Sequence, residues 1–411
     1  MAKTLRSSSE AARGPFVPGG RPDPAALPLG RHTERMALRS ADIPRLRLEA
    51  QGVAVSGSDR RREHEAAAGA DSVIDAVDRL VAVQAQDFGQ SLWALGARAP
   101  GTTLHDVEAA FESRRIVRSW PMRGTLHILS PDDLRAVLAL TAERTVAGTR
   151  TRHRALGLDE DVFARASAIL REGLAGRSLE RDEVLGLLES GGVETGGQRG
   201  MHLLWRLAHD GLVCWGPTEG TRQRMVLLDE WAPPGEEHGR DQTLRGLLVR
   251  YVAGHGPVTL RDFAWWTKLT MKDVTRAREL AGDELAEHEV DGRIQLIAPD
   301  APERPQRASS GVVALPSFDE YLLGYPDRTP MVREEWLDRV VPGANGLFLP
   351  IVVAAGQVVG TWRRRIEPTR IRVSAQPFEP WSESVRRGFE RHVAGLGRFF
   401  GLAVEHVESL R

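Results

Sequence analysis

Three times between residues 71 and 298, three helical stretches lead into two short apolar strands joined by a turn. Helices followed by a β-hairpin are the winged-helix order, a variant of helix-turn-helix. In the first unit Val73, Ile74, Val77, Leu80 and Val81 form one stripe of a 3.6-residue helix. Asp87, with Gln90 three residues on, reads as a capping box opening a second helix over 91–98. A third helix starts near Thr103, with Asp106 as its acidic partner. Strands follow at 116–120 and 125–129, around the turn 121–124. Ser130 and Pro131 supply an N-cap and a first-turn proline for a long helix after the hairpin. The second unit has helices over 160–174, 178–190 and 198–211, then strands at 212–215 and 224–228. The third has helices over 241–254, 259–268 and 270–282, then strands at 286–290 and 293–297.

The last hundred residues read as strands at 312–315, 348–354, 357–362 and 370–373, closed by an amphipathic helix near 381–400. The expected fold is therefore α+β: three tandem winged-helix units and a C-terminal β-barrel-like domain, read as a small barrel or an open sheet. Residues 1–35, rich in Gly, Pro, Ser and Arg without hydrophobic period, read as a disordered extension. The expected domains are 36–150, 151–236, 237–302 and 303–411, with a loop or insertion at 55–70.

A net charge of −1 over 411 residues excludes a uniformly basic coat but not a local basic patch. Only three of the 55 basic residues are lysine, the mark of a GC-rich genome, so the arginine excess is weak evidence for DNA binding. One cysteine, Cys214, precludes an intrachain disulfide and fits a reducing cytoplasm. No apolar run is long enough for a membrane helix. Phosphate-binding glycine loops, zinc-protease and nucleophile-elbow motifs, and metal-spaced histidines are all missing. Neither cofactor nor metal is expected.

Arginine clusters fall where a nucleic acid could lie. Arg114, Arg115, Arg118 and Arg123 flank the first hairpin, Arg222 and Arg224 lie in the second, and Arg363, Arg364 and Arg365 leave a strand. A second basic run, Arg144 to Arg154, follows the next helix. Guanidinium forks suit phosphate, although each cluster would serve equally as a solvated face. Gln84 and Gln86 stand at a helix junction, where i and i+2 can point into one cleft. A carboxamide is no base at neutral pH, but it can orient a water and offer a dipole to developing charge. The same pair would also serve as plain polar caps.

Five stretches carry a resemblance: VQAQDFGQSLWALGAR (83–98), RSWPMRGTLHILSPDDL (118–134), RYVAGHGPVTLRDFAWW (250–266), LPSFDEYLLGYPDR (315–328) and NGLFLPIVVAAGQVVGTWR (345–363). In this order they resemble the AlkZ/YcaQ-like winged-helix DNA glycosylases. The resemblance implies tandem winged helices and a barrel-like domain around a C-shaped DNA channel. It implies removal of alkylated bases and, for some members, unhooking of interstrand crosslinks. Gln84 and Gln86 match the Gln-x-Gln catalytic motif of the AlkZ branch.

The implied partner is double-stranded DNA carrying alkylated bases, bound by a monomeric, cytoplasmic, nucleoid-associated enzyme. Arg118, Arg123, Arg222, Arg224, Arg363, Arg364 and Arg365 would bind phosphates. His127 either faces the DNA site or packs. Asp87 is read as a cap rather than a base. The family's wedge hairpin is looked for near 322–329. A non-catalytic winged-helix regulator or damage sensor is the alternative function, and a protein-interaction scaffold a third.

Overall fold

The structure, a computed structural model, describes residues 38–53, 69–306, 311–344 and 346–408. The expected extension at 1–35 and most of the loop at 55–70 lie outside these residues.

The first unit comprises α1 (Ile43–Ala50), α2 (Ala70–Leu80), β1 (Ala82–Gln84), α3 (Phe88–Gly96), α4 (Leu104–Glu112) and the hairpin β2 (Val117–Met122) and β3 (Thr125–Leu129). The predicted α2 stripe of Val73, Ile74, Val77 and Leu80 is buried. Thr103 and Asp106 form a capping box on α4, and Ser130 accepts from the Asp133 amide to cap α5 (Pro131–Ala155). Next come α6 (Glu160–Gly173), β4 (Leu179–Glu180), α7 (Arg181–Ser190), α8 (Arg199–His209), β5 (Val213–Glu219), β6 (Arg222–Leu227) and the single turn α9 (Leu228–Trp231). The third run is α10 (Arg240–His255), α11 (Leu260–Thr267), α12 (Met271–Ala281), β7 (Ala286–Val290) and β8 (Arg293–Ile297).

All described strand pairs between residues 71 and 298 are antiparallel. Local patterning does not reveal that the first two hairpins share one sheet, in the order β1-β3-β2-β5-β6-β4. The join is Arg118 opposite Trp215. Every residue of β2 is buried because the strand separates two cores. Val117 and Met122 belong to one core, and Trp120, packed 4.8 Å from Trp215, to the other. The second core, built on Phe163, Leu170, Val184 and Leu203, is that of the middle unit. The first core runs from α2 through α10 and α11 into the C-terminal sheet.

That sheet contains β9 (Val312–Leu315), β10 (Ile351–Ala354), β11 (Gln357–Ile366), β12 (Arg370–Pro377) and β13 (Ala403–His406). Its order is β13-β12-β11-β10-β9, so of the two expected forms it is the open sheet, with β9 and β13 as its edges among the described residues. The helix α15 (Glu383–Phe400) lies against β9 at Gly388, where a β-carbon would come within 2.6 Å of Val312. Between β9 and β10 are the four-residue helices α13 (Glu320–Leu323) and α14 (Leu337–Val340). The stretch expected to hold a wedge hairpin, 322–329, is instead the end of α13 and a turn, with Leu322 and Tyr325 buried. The long hairpin of this region is β11–β12.

Candidate active site

The glutamine pair lies where α2 ends and the first sheet begins. The chain leaves α2 through Val81, fully buried and at φ 63, a backbone conformation that β-branched residues rarely adopt. The turn sends Ala82–Gln84 into register with Leu129, Ile128 and His127 of β3. The helix junction thus contains a three-residue edge strand that period-based reading passes over. Past its end, the Ala85 amide donates to Leu126 O at 2.7 Å, and Arg118 Nε donates to Ala85 O at 2.9 Å. Both polar groups of the residue between the glutamines are therefore held.

The carboxamides are tied in sequence. Gln84 Oε1 accepts from the Gln86 amide at 3.3 Å, and Gln86 Oε1 accepts from the Leu126 amide at 3.2 Å. Each carbonyl oxygen keeps one lone pair free to orient a water. Gln84 is buried and Gln86 exposed. Asp87 caps α3 by accepting from the Gln90 amide at 3.1 Å, but the reciprocal half of a capping box is missing, since Gln90 Oε1 is buried without a partner.

Beneath Gln84 lies a buried polar cluster. His127, fully buried, has Nδ1 2.9 Å from Thr125 O and Nε2 2.7 Å from Arg123 Nη2. A carbonyl can only accept, so Nδ1 carries the proton and Nε2 accepts from the guanidinium. Burial, helped by the Arg123 charge, pushes this imidazole down to about 3, so it stays neutral. Arg123 Nη2 is also 3.5 Å from Glu320 Oε1. Glu320 accepts from the Gln84 amide at 3.3 Å and from Trp266 Nε1 at 3.0 Å, with His255 Nε2 3.7 Å away. Burial alone would raise this carboxyl; the neighbouring His255 and Arg123 bring it down to about 2.

The candidate DNA contacts divide by burial. Arg118 is 8% exposed, bonds Gln223 as well as Ala85, and lies over the Phe88 and Trp215 rings. Its burial brings the guanidinium down to about 10. Arg123 and His127 are inside the cluster just described. Arg364 donates to Gly89 O at 2.7 Å and packs over Phe400. These four side chains brace the site and do not present free cationic ends to solvent. Arg222, Arg224, Arg363 and Arg365 are exposed. Thr221, at the tip of the second hairpin, neighbours Gly89, and β11 reaches the same glycine through Arg364, while Arg363 and Arg365 alternate to the other face of that strand. A groove of about 900 Å³ lined by Leu260, Met271, Ile294 and Pro326 lies at the third hairpin and includes neither glutamine.

Residues 77–399 match the family described as AlkZ-like DNA glycosylases. The chain belongs to that family. It is thus a DNA glycosylase, a hydrolase whose partner is DNA. It is 26% identical over 344 residues to an interstrand DNA cross-link repair glycosylase of Streptomyces sahachiroi, covering 81% of this chain and 92% of that one. The solved structure of the Streptomyces sahachiroi DNA glycosylase AlkZ superposes with a TM-score of 0.71 at 24% identity, over 90% of this chain and all of the other, and shows the shared fold. The segment matched to the AlkZ-like family contains both glutamines, the exposed arginines of both hairpins and Glu320. Glu320 was missed by sequence reading. Its one local signal is a pair of acids, Asp319-Glu320, just before the apolar run Tyr-Leu-Leu-Gly-Tyr, where unpaired acids would be costly to bury.

Proposed function

We propose that this DNA glycosylase hydrolyses the N-glycosidic bond of cationic alkylated purines in duplex DNA, with Gln84 and Gln86 as its catalytic residues. The observation that carries the reading is that both carboxamides are fixed: each carbonyl is aimed by a main-chain amide, where the chain passes from β1 into α3. An N-alkylated purine already bears positive charge and leaves without a strong general acid. The need is for an oriented water and for stabilisation of charge passing to the sugar, as in other glycoside hydrolysis. Pre-aimed amide dipoles supply both without reorganising during the reaction. His127, held neutral, is not the proton donor, and Asp87 is engaged as a helix cap.

On this reading the three helix–hairpin runs are winged-helix units that, with the open C-terminal sheet, border a C-shaped channel for duplex DNA. Phosphates meet Arg222 and Arg224 on one side and Arg363 and Arg365 on the other. Access to the anomeric carbon costs a few kcal/mol, least at a damaged base. The name of the Streptomyces sahachiroi relative supports extending the substrate to crosslinked purines.

The test is single-turnover release of 7-methylguanine from methylated duplex DNA. Gln84→Ala and Gln86→Ala should each slow release by about 10²–10³ while duplex affinity holds, because the carboxamides act mainly on charge that develops in the transition state. Wild-type rates in both variants would refute the assignment. A wild-type protein that binds DNA and releases none of several alkylpurines would be a regulator or damage sensor instead.

A further inference from the structure

We propose that Glu320 is a positioning residue for base excision: its carboxylate takes the outer-edge amide of Gln84 and so sets where the Gln84 carboxamide points. This rests on the role given to Gln84 above and adds a residue from a distant part of the chain.

Among the described residues β1 is an edge strand, paired on one side only, with β3. The Gln84 amide on its other side would ordinarily be left to water. Here it meets Glu320 Oε1 at 3.3 Å. Gln84 Oε1 then accepts from the Gln86 amide, and Gln86 Oε1 from that of Leu126. Glu320 thus holds the main chain of Gln84, and the Gln84 side chain in turn meets the main chain of Gln86, so a shift at Glu320 would reach the Gln84 carboxamide first.

The carboxylate itself is firmly placed. Asp319 caps α13 by accepting from the Tyr321 amide at 2.9 Å, and Arg98 holds Asp319 through two bonds of 2.8 and 2.9 Å. The Tyr321 hydroxyl donates to Gly356 O at 2.6 Å, and the Tyr325 hydroxyl to His255 O at 2.7 Å. Trp266 Nε1 reaches Glu320 Oε2 from α11. The stretch 319–325 is therefore a buried clasp with the carboxylate at its working end.

Stability alone gives little reason for a charge here. A buried ion pair is often no better for stability than apolar residues filling the same space. A carboxylate offers what those residues cannot: an acceptor for the Gln84 amide that is itself bonded by Trp266 Nε1 and faced by the Arg123 guanidinium. Removing it would leave Gln84 free to move by a fraction of an ångström, and displacement near 1 Å can cost about 10² in rate.

The test is a double-mutant cycle in the full chain, read by single-turnover release of 7-methylguanine, duplex affinity and Tm. Glu320→Gln should slow release by roughly 10–100-fold with duplex affinity within about 2-fold. In a Gln84→Ala background the same substitution should change the rate by less than about 3-fold, because its effect passes through the missing carboxamide. Effects that multiply in full, or a wild-type rate for Glu320→Gln, would overturn the proposal. If Glu320→Gln unfolds, Arg123→Met/Glu320→Gln removes both charges and carries the same comparison with Gln84→Ala. A wild-type rate for Gln84→Ala would overturn the role of the glutamines and this proposal together; a slow Gln84→Ala beside a fast Glu320→Gln would overturn this proposal alone.

Discussion

The main-chain amide of Gln84 donates to the carboxylate of Glu320, 236 positions along the chain, at 3.3 Å. The bond joins the first edge strand to the clasp that precedes the C-terminal sheet's second strand. The candidate site is therefore not a local property of the Gln-x-Gln segment. Arg118 gives it a second tie, joining Ala85 O to Gln223 in the second hairpin.

The two glutamines should differ in what their loss costs the fold. Gln84→Ala removes a buried acceptor and leaves the Gln86 amide without its partner, at about 1–2 kcal/mol. Gln86 is exposed, and water can replace its bond to Leu126, so Gln86→Ala should cost under about 0.5 kcal/mol. Urea denaturation of both variants measures the difference. Equal costs would contradict the burial assigned to Gln84.

Arginine substitutions should separate by exposure. Arg222→Glu/Arg224→Glu should weaken duplex affinity and flatten its salt dependence by about 0.9 for each phosphate no longer neutralised. Arg118→Met should leave the slope unchanged while lowering stability and excision, because that guanidinium is spent on Ala85 and Gln223. Affinity titrations from low to moderate salt distinguish the two. A reduced slope in Arg118→Met would place that side chain on the DNA.

Acid should destabilise the protein before most carboxylates titrate. An unfolded histidine titrates near 6.5, whereas burial holds folded His127 near 3 and His209 near 4. Between those values the unfolded state binds protons that the folded state does not, so stability falls as pH falls from about 6.5. The depressed Glu320 adds a loss of the same sign once pH drops below the ordinary carboxylate range toward about 2. Urea midpoints at pH 7.5, 6 and 5 should fall in that order. His127→Gln should lessen the fall, by at most about 1.4 kcal/mol per pH unit, the value for one linked proton.

Two glycines of one helix should respond oppositely to alanine. At Gly254 a β-carbon would lie 1.9 Å from Arg79 O, where α10 crosses the end of α2. Gly246, in the same helix, has open space around that position. Gly246→Ala should stabilise by up to about 1 kcal/mol through helix propensity. Gly254→Ala should destabilise by about 2 kcal/mol or more, since backbone must move. Thermal denaturation of both gives the comparison, and a neutral Gly254→Ala would mean that the two helices cross farther apart.

The sequence by itself determined the elements. The stripe of Val73, Ile74, Val77 and Leu80, the caps at Thr103 and Ser130, and the three hairpins follow from interactions within a few residues, which periodicity and capping chemistry record. It also put Gln84 and Gln86 at the junction where α2 gives way to α3. Tertiary structure decided the rest. It merged two hairpins through Arg118 and Trp215, chose the open form of the C-terminal sheet, and turned 322–329 from an expected wedge into part of a buried clasp. It also divided the arginines, burying Arg118 and Arg123 while exposing Arg222 and Arg363. A guanidinium has the same formula beside phosphate as inside a core. Only the surrounding acceptors set its role, and for Arg123 the ionic acceptor is Glu320, which local sequence cannot bring near.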